Sequence, residues 1–211
     1  IEKNFDINSL KNYYFISSKS KASLLAFQRA IDLNFKLIQV NILFEKELEQ
    51  NYSNYFDGIL EFANDSDIGQ LESIAYKSFV FDRFHRDINI PNKISSEIKK
   101  QWIRNFFKEK RGDKCFVSRD LNGQIKGFLL TKKQGKAIVI DLISVSENHR
   151  RRGVAKTLIN SMFSYYRKEF YIFLVSTQLE NVNSISLYKS TGFKIKNYFL
   201  DWHYINNNYS P

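Results

Sequence analysis

A largely apolar run at residues 137–145, Ala-Ile-Val-Ile-Asp-Leu-Ile-Ser-Val, leads into Arg150-Arg151-Arg152-Gly153-Val154-Ala155. An amphipathic stretch follows, with Leu158, Ile159, Met162 and Phe163 at its apolar positions. A strand, a basic glycine-containing turn and a helix are thereby set in a fixed order. The first amides of a helix have no intrahelical partner, and the helix dipole makes that end positive. Gly153 and Ala155 keep side chains out of the way of an approaching anion, and the arginines add charge around it. The arrangement is suited to a diphosphate. An ordinary strand-to-helix turn with solvated arginines fits the same residues.

A second motif lies downstream: Asn181-Val182-Asn183-Ser184-Ile185-Ser186-Leu187-Tyr188-Lys189-Ser190-Thr191-Gly192-Phe193. With both motifs in this order, the chain resembles the GNAT family of acetyl-CoA-dependent N-acyltransferases over roughly residues 58–204. The family's first signature, Arg/Gln-x-x-Gly-x-Gly/Ala, is met by Arg150, Gly153 and Ala155. The second, Asn-x-x-Ala-x-x-Leu-Tyr-x-x-x-Gly-Phe, is met by Asn181, Leu187, Tyr188, Gly192 and Phe193, with Ser184 in place of alanine. The resemblance implies an α/β fold with a mixed sheet and acetyl-CoA as cofactor. It implies that Arg150, Arg151, Arg152, Gly153, Val154 and Ala155 hold the diphosphate. The backbone of Ile143, Ser144 and Val145 would hold pantetheine, with Asn181 and Ser184 supporting the cofactor. Tyr188 matches the family's general acid. A phenol, with a pKa of about 10, stays protonated at neutral pH and can donate to a departing thiolate. For Ile143 and Val145 the alternative is core packing, and for Asn181 it is a helix N-cap.

The 211 residues suffice for one full domain and a small additional one. The expected division is a small N-terminal α/β domain over residues 1–55 and an N-acetyltransferase domain over 56–211. A 43% hydrophobic content, 16% aromatic, supports a core, and 2 prolines with 8 glycines argue against extended disorder. A single cysteine, Cys115, rules out an intrachain disulfide and fits a reducing cytoplasm. With three scattered histidines no zinc-site spacing exists, so no metal is expected. No apolar run has membrane-spanning length and no signal-peptide pattern opens the chain, so no membrane is expected. The net charge of +10 has three readings: nucleic-acid binding, a solvated Lys- and Asn-rich surface, or an enzyme with anionic ligands. No RNA-recognition aromatic signature or helix-turn-helix pattern supports the first, so no nucleic acid is expected.

Periodicity predicts a helix over 20–33 and a strand over 35–44, with Phe35, Leu37, Val40, Ile42 and Phe44 as its apolar positions. Residues 45–57 read as a linker and 58–63 as a strand. A helix over 68–79 follows, capped by Asp65 or Ser66. Residues 81–92 read as irregular, and Ser95 or Ser96 can cap the next helix. A hairpin turns at Asn122-Gly123 between strands 115–119 and 125–131. The central strand at 137–146 precedes a helix to about Arg167, a strand at 171–176, a short helix at 183–190 and a closing strand or hairpin at 193–204.

A narrower likeness rests on three runs: Leu71-Glu-Ser-Ile-Ala-Tyr-Lys-Ser-Phe79, Asp82-Arg83-Phe84-His85-Arg86-Asp87 and Gln101-Trp102-Ile103. Ser176-Thr177-Gln178 ahead of Asn181 adds to it. These look like the GNAT acetyltransferases that act on the 4-amino group of nucleotide-linked 4-amino-4,6-dideoxyhexoses, the dTDP-fucosamine acetyltransferases. That likeness implies an acceptor site built from Arg83, Phe84, His85, Arg86, Asp87, Trp102, Thr177 and Gln178. Its partner would be a nucleotide-linked amino sugar. Aromatic faces suit a base or sugar, and arginines suit a diphosphate; core packing and solvated arginines are the alternative. Candidates for a general base are Asp141, His85 and Asp87, and water can carry the proton instead. The rival acceptors are a peptide N-terminus, a lysine or a small amine; a non-catalytic acyl-CoA-binding domain is the non-enzyme rival. Homodimers are common in the family, and nothing in the sequence marks an interface.

Overall fold

The computed structural model describes residues 15–49 and 60–206. Eight strands form one mixed sheet: β1 (Phe15–Lys21), β2 (Lys36–Glu47), β3 (Glu61–Phe62), β4 (Cys115–Arg119), β5 (Ile125–Gln134), β6 (Ala137–Val145), β7 (Ile172–Gln178) and β8 (Lys194–Ile205). Six helices accompany them: α1 (Leu24–Asp32), α2 (Ile68–Ser78), α3 (Arg83–Arg86), α4 (Asn92–Phe107), α5 (Val154–Tyr166) and α6 (Val182–Ser190). The strand order is β1-β8-β2-β7-β6-β5-β4-β3. Only β6 and β7 run parallel, joined through α5; the other neighbours are antiparallel.

The two faces are covered by different helices. On one, Leu158, Ile159, Met162 and Phe163 of α5 pack on Phe44, Leu129, Ile138, Ile140, Phe173 and Val175, with Tyr188 and Phe193 closing the cluster. On the other, α2 and α4 supply Leu71, Ile74, Ala75 and Ile103 against Phe128, Leu130 and Leu142. Leu130 and Leu142 are cross-strand partners, whereas Thr131 pairs with Ile140. Asp141 is therefore the extra residue of a β-bulge, the usual device for re-aiming side chains. A second bulge lies in β2. Leu37 pairs with Trp202, yet Gln39 rather than Ile38 pairs with Asp201. The apolar phase slips accordingly, from Phe35 and Leu37 to Val40, Ile42 and Phe44.

Several expectations are corrected. Ser20 and Lys21 belong to β1, and Ser23 caps α1 by accepting from Ala26 N. β2 runs three residues into the segment read as a linker, to Glu47. Asn64 provides the cap ahead of α2, in a capping box with Asp67. Within the segment read as irregular, Asp82 starts the single turn α3. α4 begins after Pro91, so Ser95 and Ser96 are buried inside it rather than capping it. Pro91 stands at the N-cap with ψ 135°, where the N–H it lacks is not needed by the helix. The domain boundary expected at residues 55–56, and the start of the strand expected at 58–63, lie outside the described residues. α1 joins β1, an edge strand of the sheet, to β2, which lies between β8 and β7.

Candidate active site

The parallel ladder of β6 and β7 ends early. It pairs Ala137 with Ile172 through Ile140 with Val175 and goes no further, although β6 runs to Val145 and β7 to Gln178. Past the Asp141 bulge the strands diverge. Ile143, Ser144 and Val145 keep their β5 partners, Leu129, Phe128 and Gly127, and have no ladder partner on the β7 side among the described residues. Their side chains do the packing, with Ile143 and Val145 against the α5 cluster and Ser144 buried. Backbone facing a cleft needs another hydrogen-bonding partner.

From Val145 the chain runs through residues 146–152 to the N-terminus of α5. Gly153 caps the helix in the left-handed region, φ 79°, and no side chain caps the first turn. A Cβ at Gly153 would meet no atom within 4 Å, and no side chain takes up the first amides. Arg151 also has positive φ, 60°. Arg150, Arg151 and Arg152 are exposed, and Arg150 Nε donates to Val145 O at 3.3 Å. A cavity of about 700 Å³ adjoins this turn, lined by Arg152, His149, Lys126 and Arg119 together with Glu61 and Asp120, with Arg119 paired to Glu61 and Asp67. Open amides, a helix dipole and a basic rim form a site whose chemistry fits the diphosphate of coenzyme A.

α6 follows β7 and packs Tyr188, Ile185 and Leu187 on the α5 cluster. Asn181 caps it, its Oδ1 accepting from Ser184 N at 3.2 Å. Tyr188 is buried, its ring centroid 5.7 Å from that of Phe44 and 5.9 Å from that of Phe193. Burial pushes the Tyr188 phenol well above its usual range, and a hydrogen bond with Ser184 acts in the opposite direction.

On the α2–α4 face, charged and aromatic groups interleave. Lys99 Nζ and Arg111 Cζ each lie 3.8 Å from the Trp102 ring centroid; each is a cation–π contact. Arg111 continues to Asp141, Nε to Oδ2 at 2.6 Å, and Lys132 lies 3.8 Å from Oδ1. Asp141, a candidate base from sequence, is thus engaged by two cations. His85 is engaged at both nitrogens, Nδ1 by Asp82 at 2.8 Å and Nε2 by Ser96 at 3.1 Å. Asp87 is buried against His203, Oδ2 to Nδ1 at 2.7 Å, and accepts from Asn89 N and Nδ2. Arg83 Cζ lies 4.6 Å from the centre of the Phe84 ring. Arg86 rests 5.3 Å over Phe81 and pairs with Glu180; with Gln178 and Gln39 it lines a small cavity of about 60 Å³. Thr177 is not part of this group. It pairs with Ile42 and is buried toward the α5 face, while Gln178 pairs with Asn41 on the other. Lys99, Arg111, Gln39, Asp201 and His203 enter the site without a sequence signal beyond polar residues inside otherwise apolar elements.

Lys99 is the most perturbed cation here. Burial lowers its pKa to about 8, with Arg83 and Arg111 adding to the drop and Asp82 and Asp141 opposing it. Its folded value lies below the unfolded one, about 10.4. Between these two values the unfolded chain holds more protons, so this residue makes stability rise with pH from about 8 to about 10.4. The ζ-ammonium of Lys99 should titrate in NMR with a midpoint near 8; a midpoint above about 10 would contradict the burial.

Among the described residues, no three His, Cys, Asp or Glu side chains gather as metal ligands, and no helix is long and apolar enough to cross a membrane. The chain matches a curated protein of Bacillus subtilis, "Spore coat polysaccharide biosynthesis protein SpsD", at 23% identity over 131 residues, 62% of this chain and 45% of that protein. The chain thus spans under half of that relative's length. Its fold resembles a conserved Staphylococcus epidermidis protein of unknown function, with a TM-score of 0.64 and 17% identity over 92% of this chain and 73% of that one. It also resembles a GCN5-related N-acetyltransferase from Sphaerobacter thermophilus, with a TM-score of 0.61 and 14% identity over 90% and 59% of the two chains. The Acetyltransferase (GNAT) family matches residues 80–193, more than half of the chain and both motifs of the cleft, and the chain belongs to that family.

Proposed function

We propose that this protein transfers the acetyl group of acetyl-CoA to the amino group of a nucleotide-linked amino sugar of the 4-amino-4,6-dideoxyhexose class. The observation that carries the donor half is the β6–β7 ladder ending at Ile140 and Val175, with an uncapped basic helix N-terminus at the end of the opening. Acetyl-CoA, when bound there, supplies an acetyl group activated as a thioester. Ile143, Ser144 and Val145 offer backbone groups to pantetheine, and amides near Gly153, Val154 and Ala155 meet the diphosphate with Arg150, Arg151 and Arg152 around it. Asn181 and Ser184 hold the first turn of α6 beside the cleft. Tyr188 would supply the proton that the departing thiolate takes up when the amine nitrogen displaces it from the acetyl carbon. The amine's own proton passes to water.

The acceptor half is supported by Arg83, Arg86, Lys99, Trp102 and Arg111 on one sheet face. Stacked cations and aromatics suit a nucleotide's base and diphosphate. The likeness to a relative named for polysaccharide biosynthesis points the same way. Thiol release from acetyl-CoA should follow addition of dTDP- or UDP-linked 4-amino-4,6-dideoxyhexoses and not of peptides or polyamines. Turnover confined to peptides or polyamines would overturn the acceptor assignment, and absence of turnover beside tight coenzyme A binding would overturn the enzyme.

A further inference from the structure

Six buried side-chain nitrogen and oxygen atoms among the described residues have no hydrogen-bond partner. Two of them, Arg111 Nε and Asp141 Oδ2, face each other at 2.6 Å as an ion pair. The other four are Gln39 Oε1, Asp201 Oδ1, His203 Nε2 and Arg83 Nε, and they belong to one neighbourhood. Gln39 Nε2 donates to the other oxygen of Asp201 at 2.7 Å, and Asn41 Nδ2 donates to that same oxygen. Asp201 and His203 stand two residues apart on β8, on one face of the sheet. Phe84 lies 6.1 Å from the His203 ring, with Arg83 over Phe84. Asp201 and His203 are 1% and 2% exposed. Each buried polar group left unpaired costs about 1–3 kcal/mol, so four in one place point to a further hydrogen-bonding partner there.

The chemistry of that ligand follows from the atoms. Asp87 holds the His203 proton at Nδ1, and burial lowers the ring's pKa, so Nε2 presents a lone pair at neutral pH. Gln39 Oε1, Asp201 Oδ1 and His203 Nε2 then accept, while Arg83 Nε donates. A hydroxyl group both donates and accepts. An ammonium only donates, and it would meet the charges of Arg83 and of Lys19, the cross-strand partner of Asp201. We propose that Gln39, Asp201, His203 and Arg83 form a subsite for neighbouring hydroxyl groups of the acceptor's sugar ring. This rests on the acyl-acceptor reading above. The bulge at Ile38 makes the subsite, because without it Ile38 would face Asp201. Gln39 also lines the small cavity with Arg86 and Gln178, which joins the subsite to the remaining acceptor residues.

Two variants test it. His203→Asn keeps a donor for Asp87 and removes the Nε2 acceptor; Gln39→Met keeps length and leaves Asn41 on Asp201. With dTDP-4-amino-4,6-dideoxygalactose, each should raise KM about 10–100-fold, with kcat within about threefold of the parent and coenzyme A affinity unchanged. The 2-deoxy and 3-deoxy forms of that substrate should lose a similar factor on the parent protein and little more on the variants. The nitrogen-15 resonance of His203 Nε2 should move when this sugar nucleotide or methyl α-galactopyranoside is added. Unchanged KM in both variants, or an Nε2 signal that no hydroxylated probe moves, would overturn the subsite. So would a loss confined to kcat with a shifted acid limb, which would make His203 a proton acceptor instead. A moved Nε2 signal without turnover of any nucleotide sugar would support the subsite and overturn the acyl-transfer reading alone.

Discussion

Replacing Tyr188 with phenylalanine is expected to lower kcat by about 10²–10⁴-fold while leaving coenzyme A affinity nearly unchanged. The phenol is buried among Phe44 and Phe193, and burial raises its pKa. A raised value keeps it protonated across the neutral range, the state a proton donor needs. The parent enzyme should accordingly show no loss of kcat from Tyr188 as pH rises toward 10, the ordinary phenol value. Phenylalanine keeps the packing and loses the hydrogen bond with Ser184, worth about 0.5–1.5 kcal/mol of stability. Thermal unfolding measured beside the kinetics separates the two losses. An unchanged kcat would make Tyr188 a packing residue only.

Gly153→Val should raise the dissociation constant of coenzyme A about 100-fold, measured by titration calorimetry, while Arg151→Ala should change it less than about threefold. Gly153 has φ 79°, which costs a side-chain-bearing residue about 1–2 kcal/mol. Nothing in the protein stands within 4 Å of the new Cβ. The Cβ itself meets no neighbour, so beyond the strain of the positive φ the expected loss comes from bulk placed at the start of α5. Arg151 is exposed and has φ 60°, so it contributes charge at a distance and some strain. Equal losses from the two substitutions would mean that side-chain charge, not backbone, holds the diphosphate.

The elements nearest the donor cleft were legible because their signals are local. The apolar run of β6, the positive-φ glycine ahead of α5 and the Asn181 cap of α6 are each set within a few residues of chain. The serines Ser95 and Ser96 misled because a cap is defined by where the helix starts, and Pro91 starts it earlier. β1 went unread because Phe15–Lys21 alternates apolar with polar only partly, and its pairing partner, β8, lies at the far end of the sequence.

The polar side of the site is where sequence and structure part. By itself the sequence determined the strand–turn–helix with its basic glycine turn and the helix that carries Tyr188. Those depend on φ, capping and periodicity, which act between neighbours. Only the tertiary structure decided which side chains meet. Gln39 reaches Asp201 across 162 residues of chain, and Asp87 reaches His203 across 116. Those meetings depend on strand order and on two bulges, at Ile38 and Asp141. One extra residue in a strand moves every following side chain to the other face, and pairing across the sheet rather than local propensity settles where that residue sits.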